Sequence, residues 1–186
     1  MNEIIEETVQ ALVKGGTILY PTDTIWGLGC DPTNDEACQK LIDIKGRTAD
    51  KSFILLADSF RMVEHYIPDF HEVVYDLVDF AEKPLTVIYP GATRLSKKVL
   101  AEDGTIGIRI TKDPICRKII QKFRKPIVST SANFTGEPSP TGFESVDSRL
   151  VDQIDYTVAL RQKEKLVHPS QIIKIDLDGS VKVIRK

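Results

Sequence analysis

Residues 105–129 read TIGIRITKDPICRKIIQKFRKPIVS, and the rest of the chain repeats the pattern they set. In the first six, Ile106, Ile108 and Ile110 alternate with Thr105, Gly107 and Arg109. A period of two puts the isoleucines on one face of a strand and the polar residues on the other. Asp113, whose carboxylate can accept from the first free amides of a helix, then opens a helical stretch reaching Phe123. Residues 126–129 follow as a second strand. A strand, a helix and a strand in quick succession point to an α/β layered domain.

The same alternation runs outward in both directions. Toward the N-terminus, Ile5, Val9 and Leu12 recur at i, i+4 and i+7, the spacing of an amphipathic helix, which Gly15-Gly16 ends. Residues 17–20 form a strand. Asn34 caps a second helix that buries Ala37, Leu41 and Ile44 and ends at Lys45-Gly46-Arg47. A short buried strand over 52–57 comes next. Helical stretches capped by Asp58-Ser59 and by Asp69 then reach Phe80, before a strand over 84–89. Toward the C-terminus, Gly136, Pro138 and Pro140 mark 130–142 as a polar loop. A helix near 146–154 and strands over 156–159, 171–176 and 180–185 follow. Asp178-Gly179 suits the turn of a closing hairpin. That hairpin makes a mixed sheet the expectation over a purely parallel one.

The 186 residues are 41% apolar and 28% charged, with a formal net charge of -2. This balance suits one folded domain across 1–186, with no global positive field for nucleic acid. A local basic cluster, Arg117, Lys118, Lys122, Arg124 and Lys125, reads either as a solvated helix face or as an RNA patch. Cys30, Cys38 and Cys116 are odd in number and show no Cys-x-x-Cys spacing, which fits a reducing compartment better than a disulfide frame or a zinc knuckle. The start of the chain is acidic, and no apolar run approaches the ~18 residues of a spanning helix. A soluble cytoplasmic protein without a membrane segment is therefore expected.

Several chemistries are missing. No Gly-x-Gly-x-x-Gly follows the first strand, no P-loop Gly-Lys-Ser/Thr occurs, and no Gly-x-Ser-x-Gly elbow occurs. His65, His71 and His168 lack metal-ligand spacing, and His65 and His71 read as surface helix residues. A site on this chain has to be built from hydroxyls, amides and bases. Three segments offer them. Lys45-Gly46-Arg47 with Lys51 gathers three cations that could embrace a triphosphate, although bases at a helix C-terminus also complement its dipole. Ser129-Thr130-Ser131-Ala132-Asn133, with Ser139 beyond, presents hydroxyls and an amide at a strand end, or simply a polar turn. Pro21-Thr22-Asp23-Thr24, running on to Gly27-Leu28-Gly29, mixes hydroxyls, a carboxylate and glycines after a buried strand. On the alternating strand, Arg109 and Thr105 share a face with Gly107 between them. There a ligand could lie close to the backbone and meet the guanidinium fork with a carboxylate.

In order and spacing these segments resemble the YrdC/TsaC family of threonylcarbamoyl-AMP synthases. That family carries Pro-Thr-x-Thr leading to Gly-Leu-Gly, then Lys-x-Arg, then Ser-x-Asn. Here these look like Pro21–Thr24 with Gly27–Gly29, Lys45 and Arg47, and Ser131 and Asn133. The 105–109, 136–140 and Pro169-Ser170 segments also resemble family segments, and the likeness covers roughly residues 5–176. It implies an open twisted sheet with flanking helices and a concave ligand-binding face. It implies catalytic roles for Lys45, Arg47, Ser131 and Asn133. ATP contacts are implied at Lys45, Arg47, Lys51, Thr105, Ser131, Asn133 and Ser139, and L-threonine contacts at Thr24, Arg109, Ser129 and Ser170. The reaction implied joins threonine, bicarbonate or CO2 and ATP into threonylcarbamoyl-AMP and pyrophosphate. Magnesium would come with the nucleotide, and no tightly bound metal or organic cofactor is expected. Partner proteins would then carry the group to tRNA.

The chain departs from the family pattern in places. Phe80-Ala81-Glu82-Lys83-Pro84 stands where Trp-Pro-Gly-Pro is frequent. Thr48 replaces a proline, Leu56 a histidine and Trp26 a tyrosine. These changes keep open a YciO-like paralogue, binding nucleotide or RNA without synthase activity. An RNA-binding module built on the basic cluster stays open as well; weak tRNA or double-stranded RNA binding is the expectation. Reversal of Arg117, Lys118 and Lys122 to Glu is expected to leave threonylcarbamoyl-AMP synthesis nearly unchanged. Nanomolar, sequence-selective tRNA binding at physiological salt, lost on that reversal, would point to the RNA module instead.

Overall fold

The computed structural model describes residues 1–46, 53–166 and 169–186. In chain order it forms α1 (Asn2–Val13), β1 (Ile18–Tyr20), β2 (Gly27–Gly29), α2 (Asp35–Lys45), β3 (Ile54–Ala57), α3 (Phe60–Tyr66), α4 (Val73–Asp79), β4 (Leu85–Tyr89) and β5 (Ile106–Ile110). Next come α5 (Pro114–Phe123), β6 (Ile127–Ser131), α6 (Ser148–Val151), β7 (Tyr156–Thr157), β8 (Gln171–Ile175) and β9 (Val181–Arg185). The strands make one sheet in the order β7-β1-β2-β6-β3-β5-β4-β8-β9. β1/β7, β3/β5 and β4/β8 are parallel, and the remaining neighbours are antiparallel. The sheet is thus open and mixed, as the closing hairpin implies. β5 and β6 do not pair, because β3 lies between them, parallel to one and antiparallel to the other.

Side chains on the two faces meet different partners. On one face Leu28, Leu55, Val87, Ile106, Ile108, Val128 and Ile173 pack with Ala37, Leu41 and Ile44 of α2 and with residues of α3 and α4. On the other, Ile18, Tyr20, Leu56 and Ile127 pack under Ile5, Val9 and Leu12 of α1 and Ile119, Ile120 and Phe123 of α5. The isoleucine alternation of β5 is thereby explained: Ile106 and Ile108 are buried in the first layer, and Ile110 borders it. The caps behave as their chemistry requires. Asn34 Oδ1 accepts the amides of Glu36 and Ala37, each at 3.0 Å. Asp113 Oδ1 accepts those of Ile115 and Cys116, each at 2.9 Å, with Pro114 in the first turn. Gly46 closes α2 at φ 57°, where a side chain would be strained.

Some elements differ from the sequence reading. Ser59 and Glu72 precede α3 and α4, and neither side chain caps its helix. Instead, His71 Nδ1 accepts the Val73 amide at 3.2 Å, so His71 serves a turn and not a helix face. α6 is four residues long, against the longer helix expected over 146–154. β6 runs on through Thr130 and Ser131, which had read as loop. They are polar because they continue the strand into a site, pairing with Leu28 and Gly27 of β2. β2 itself went unread because Gly-Leu-Gly has poor strand propensity. Its glycines are there for close approach. A Cβ on Gly29 would stand 2.6 Å from the Val128 carbonyl oxygen and 2.9 Å from Ile127 and Tyr20 side-chain atoms. Gly29→Ala is therefore expected to cost about 1–3 kcal/mol, read by urea denaturation, as overpacking in a close-packed layer does. An unchanged midpoint would show that the layer yields there.

Candidate functional site

Residues directly opposite in a ladder share a sheet face. Gly27 faces Ser131, Ile54 faces both Ser129 and Gly107, and Leu56 faces both Arg109 and Ile127. The same face therefore carries an apolar end, Leu56 and Ile127, packed beneath α1 and α5, and a polar end that those helices do not fill. A cavity of about 200 Å³ lies at the polar end, lined by Thr24, Ile25, Gly27, Ile54, Arg109, Ser129, Thr130, Ser131, Ser139, Ser170 and Arg185 among others. A second cavity, of about 470 Å³, adjoins it through the shared Ser139 and is lined by Asn133, Glu137, Thr141, Ser145 and Asp147. The first suits an amino acid in size. The second falls within the roughly 300–1,000 Å³ usual for a larger organic ligand.

Arg109 dominates the first cavity. It is 4% exposed, and its Nη2 stands 3.0 Å from Asp23 Oδ1 and donates to Thr24 Oγ1 at 3.2 Å. The Thr111 hydroxyl donates to Asp23 Oδ2 at 3.1 Å, so β5 holds the Pro21–Thr24 turn by a charge and by a hydroxyl one strand-end further on. The contact with Asp23 is close but poorly aligned as a hydrogen bond, and Arg109 Nε is buried with no acceptor among the described residues. A buried orphan donor costs roughly 1–3 kcal/mol, a deficit that an anionic oxygen arriving in the cavity would remove. Gly107 also has its reason here: a Cβ would lie 3.2 Å from Thr86 and 3.4 Å from Ile54. The room expected for a ligand over Gly107 is thus taken up by these two side chains.

Ser170 enters from the segment before β8. Its hydroxyl is 2.8 Å from that of Thr86, and Arg185 donates from Nε to its carbonyl at 2.8 Å and from Nη2 to its hydroxyl at 3.3 Å. Arg185 was missed in the sequence, where it is one base near the end of an ordinary hairpin strand. Burial, and then the like charge of Arg109, holds its guanidinium below the usual arginine value. Two guanidiniums in one cavity make the site electropositive, a setting for anions. Burial likewise pushes up the Cys116 thiol, whose Sγ donates to the Pro21 carbonyl at 3.4 Å, so Cys116 supports the turn as a neutral packing residue.

The structure gathers Thr24, Arg109, Ser129, Ser131, Ser139 and Ser170 around the first cavity, and Asn133 with Ser139 around the second. It does not bring Thr105 there. The Thr105 hydroxyl and amide both donate to Asp103 Oδ1, at 2.6 and 3.0 Å, and with Lys174 they hold the Asp103 carboxyl down to about 2. Lys45 is buried behind the Ser131–Asn133 segment and lines neither cavity. Arg47 and Lys51 lie outside the described residues, as do Thr48 and His168. Leu56 and Trp26 are core residues, Trp26 tilted against Phe143 at 5.1 Å. The basic cluster is partly spent on neighbours: Lys122 pairs with Glu6, and Lys125 with Asp31 at 2.6 Å. Among the described residues no group of three His, Cys, Asp or Glu could hold a metal, and no helix is long and apolar enough to cross a membrane.

Comparison with known proteins gives a consistent picture. The family model Sua5_yciO_yrdC, described as telomere recombination, matches residues 10–186. The chain is 35% identical to the threonylcarbamoyl-AMP synthase of Pseudoalteromonas translucida over 157 residues, covering 83% of this chain and 84% of that protein. It is 37% identical to that of Vibrio campbellii over 153 residues, covering 80% and 82%. Among solved structures, P. abyssi Sua5 with bound L-threonine superposes at a TM-score of 0.82 with 24% identity, over 92% of this chain. The chain spans about half of that longer protein, 50%. E. coli YciO superposes at 0.85 with 24% identity, covering 100% of this chain and 90% of its own. At such identities the two superpositions speak to fold.

Replacing Asp23 by Asn would leave the Arg109 charge buried without its counter-charge. Stability is expected to fall by about 3–5 kcal/mol, the usual cost of breaking a buried pair from one side. Urea unfolding measures it, and a loss below about 1 kcal/mol would mean that Arg109 is neutralised elsewhere.

Proposed function

The chain belongs to the Sua5–YciO–YrdC family, and from that membership we propose that it is a threonylcarbamoyl-AMP synthase. The observation that carries the reading is the convergence of Thr24, Arg109, Ser129 and Ser170 on one amino-acid-sized cavity, which adjoins a second at Ser139. L-Threonine sits in the first, its carboxylate on the Arg109 fork, where it satisfies the orphan Nε. ATP lies across Ser131, Asn133 and Ser139, and Arg47 and Lys51 add phosphate contacts. The threonine nitrogen forms a bond to the carbon of CO2 or bicarbonate, releasing a proton or water. A carbamate oxygen then attacks the α-phosphorus, the α–β bridging P–O bond breaks, and pyrophosphate leaves.

This chemistry asks for positioning and charge neutralisation more than for a covalent nucleophile. The hydroxyls, amide and guanidiniums of the two cavities supply both. The first cavity has no carboxylate among the described residues, but Glu137 and Asp147 line the second; magnesium arriving with the nucleotide would be held by its phosphates, by water and by one of these carboxylates, the usual arrangement for that ion. The product would pass to tRNA-modifying proteins in the cytoplasm, with any direct RNA contact weak, and 1–186 would act as one YrdC-like domain. A YciO-like protein without synthase activity is the weaker reading. The sequence relatives at 35–37% identity bear the synthase name, whereas the likeness to YciO at 24% is one of fold.

Pyrophosphate release is expected only when ATP, L-threonine and bicarbonate are all present; release without threonine, or none in the full mixture, would sink the assignment. Arg109→Met should raise the apparent threonine KM by an amount equivalent to about 2–5 kcal/mol, with ATP binding in the absence of threonine changed much less. Lysine at that position should rescue only in part, since a point charge cannot copy the fork. Equal weakening of both substrates would place the carboxylate elsewhere.

A further inference from the structure

Lys45 is the last residue of α2, and its side chain reaches the end of β6. It is 3% exposed and lines neither cavity. Its Nζ donates to the carbonyl of Ser131 at 2.6 Å and to that of Asn133 at 2.7 Å, and stands 3.4 Å from Asn133 Oδ1. The Lys45 carbonyl in turn accepts the Thr135 amide at 3.0 Å. An ammonium has three protons to give, and three oxygens of a single segment stand within its reach. The end of one helix thus holds residues 131–135 from both its side chain and its backbone.

The held segment is the one that borders the nucleotide region. Ser131 ends β6 and faces the first cavity, and Asn133 faces the second. Asn133 Nδ2 is itself occupied, donating to the carbonyls of Phe134 and Glu137 at 3.1 and 2.5 Å. Peptide planes are rigid, so drawing the Ser131 and Asn133 carbonyls toward one buried cation fixes the orientation of the planes between them. The Ser131 side chain, in register with Gly27, stays on the cavity face. A hydrogen-bonded cation also makes a strong clasp, roughly twice a neutral contact.

We propose that Lys45 is a positioning residue of the nucleotide site and not a phosphate ligand. Its ammonium sets the Ser131–Asn133 segment before ATP arrives and keeps those carbonyl contacts when ATP is bound. This assignment rests on the synthase reading for its kinetic consequence, but its structural part is readable without turnover. A phosphate ligand would face the cavity in the free protein and exchange its partners on binding. A clasp stays behind the segment and acts through Ser131 and Asn133.

Two measurements decide it. The first compares amide hydrogen exchange in ATP-free wild type, Lys45→Met and Lys45→Arg, together with the KM for ATP. Lys45→Met is expected to speed exchange at residues 131–135 at least tenfold and to raise the ATP KM at least tenfold, with the threonine KM within threefold. Lys45→Arg, which still offers two donors to the carbonyls, should bring both back to within about threefold of wild type. A merely structural role would lower the active fraction and leave both KM values alone. Unchanged exchange with weakened ATP binding would make Lys45 a direct ligand and overturn the proposal. The second measurement needs no variant, so it stands even if Lys45→Met does not fold. Wild type is treated with ATP carrying an acyl phosphate on its terminal phosphate, a reagent that acylates lysines beside the bound phosphates, and is then mapped by mass spectrometry. Lys45 is expected to stay unmodified; acylation of Lys45 that free ATP blocks would overturn the assignment. Wild type that exchanges as expected but releases no pyrophosphate would count against the synthase reading alone.

Discussion

A guanidinium that is 4% exposed cannot remain charged in the middle of a sheet without a counter-charge, and Asp23 supplies it. That requirement ties β5, a central strand, to the turn that follows β1, more than eighty residues earlier in the chain. Thr24 accepts from the same guanidinium, and Thr111 secures the far oxygen of Asp23. The Thr22 hydroxyl folds the turn onto itself, accepting the amides of Thr24 and Ile25 and donating to the Ile25 carbonyl. Remove the pair and one wall of the first cavity loses its charged tie to β5. The charge fixes the wall, and it leaves Nε without an acceptor among the described residues.

The rest of the site follows from incomplete coverage. One face of the sheet is packed along its length by α2, α3 and α4. The opposite face receives α1 and α5, whose apolar residues cover Ile18, Tyr20, Leu56 and Ile127. Along β6 the side chains on this face change from Ile127 to Ser129 and Ser131, and on β5 Arg109 stands opposite Leu56. Burying those polar groups under another apolar helix would be costly without partners, so the sheet stays open there. β6 is the strand where the change happens. Its first residues pair with β3 and its last with β2, and it carries core at one end and hydroxyls at the other.

This division explains what could be read from residues alone. The Ile106–Ile110 alternation and the caps at Asn34 and Asp113 each report a local physical requirement, and each element stands where it was expected. β2 was invisible because Gly29 answers to the Val128 carbonyl on the neighbouring strand, a contact with no local signature. The extension of β6 was missed because its polar residues look like a turn when the cavity they line is unknown. Arg185 was missed for the related reason that only the β8–β9 pairing places it beside Ser170. Lys45 reads in the sequence either as a cation for a triphosphate or as a base complementing its helix dipole. A sequence shows the charge of such a residue, but the carbonyls its ammonium meets belong to a segment about ninety residues away.

The most direct test of the account is a structure of the protein with L-threonine and an ATP analogue that cannot be cleaved between its α- and β-phosphorus atoms. The account places the threonine carboxylate within hydrogen-bonding distance of Arg109, with Nε engaged and the Asp23 pair intact. It places the phosphates along Ser131 and Ser139. A threonine bound away from Arg109, or a nucleotide lying outside both cavities, would contradict it.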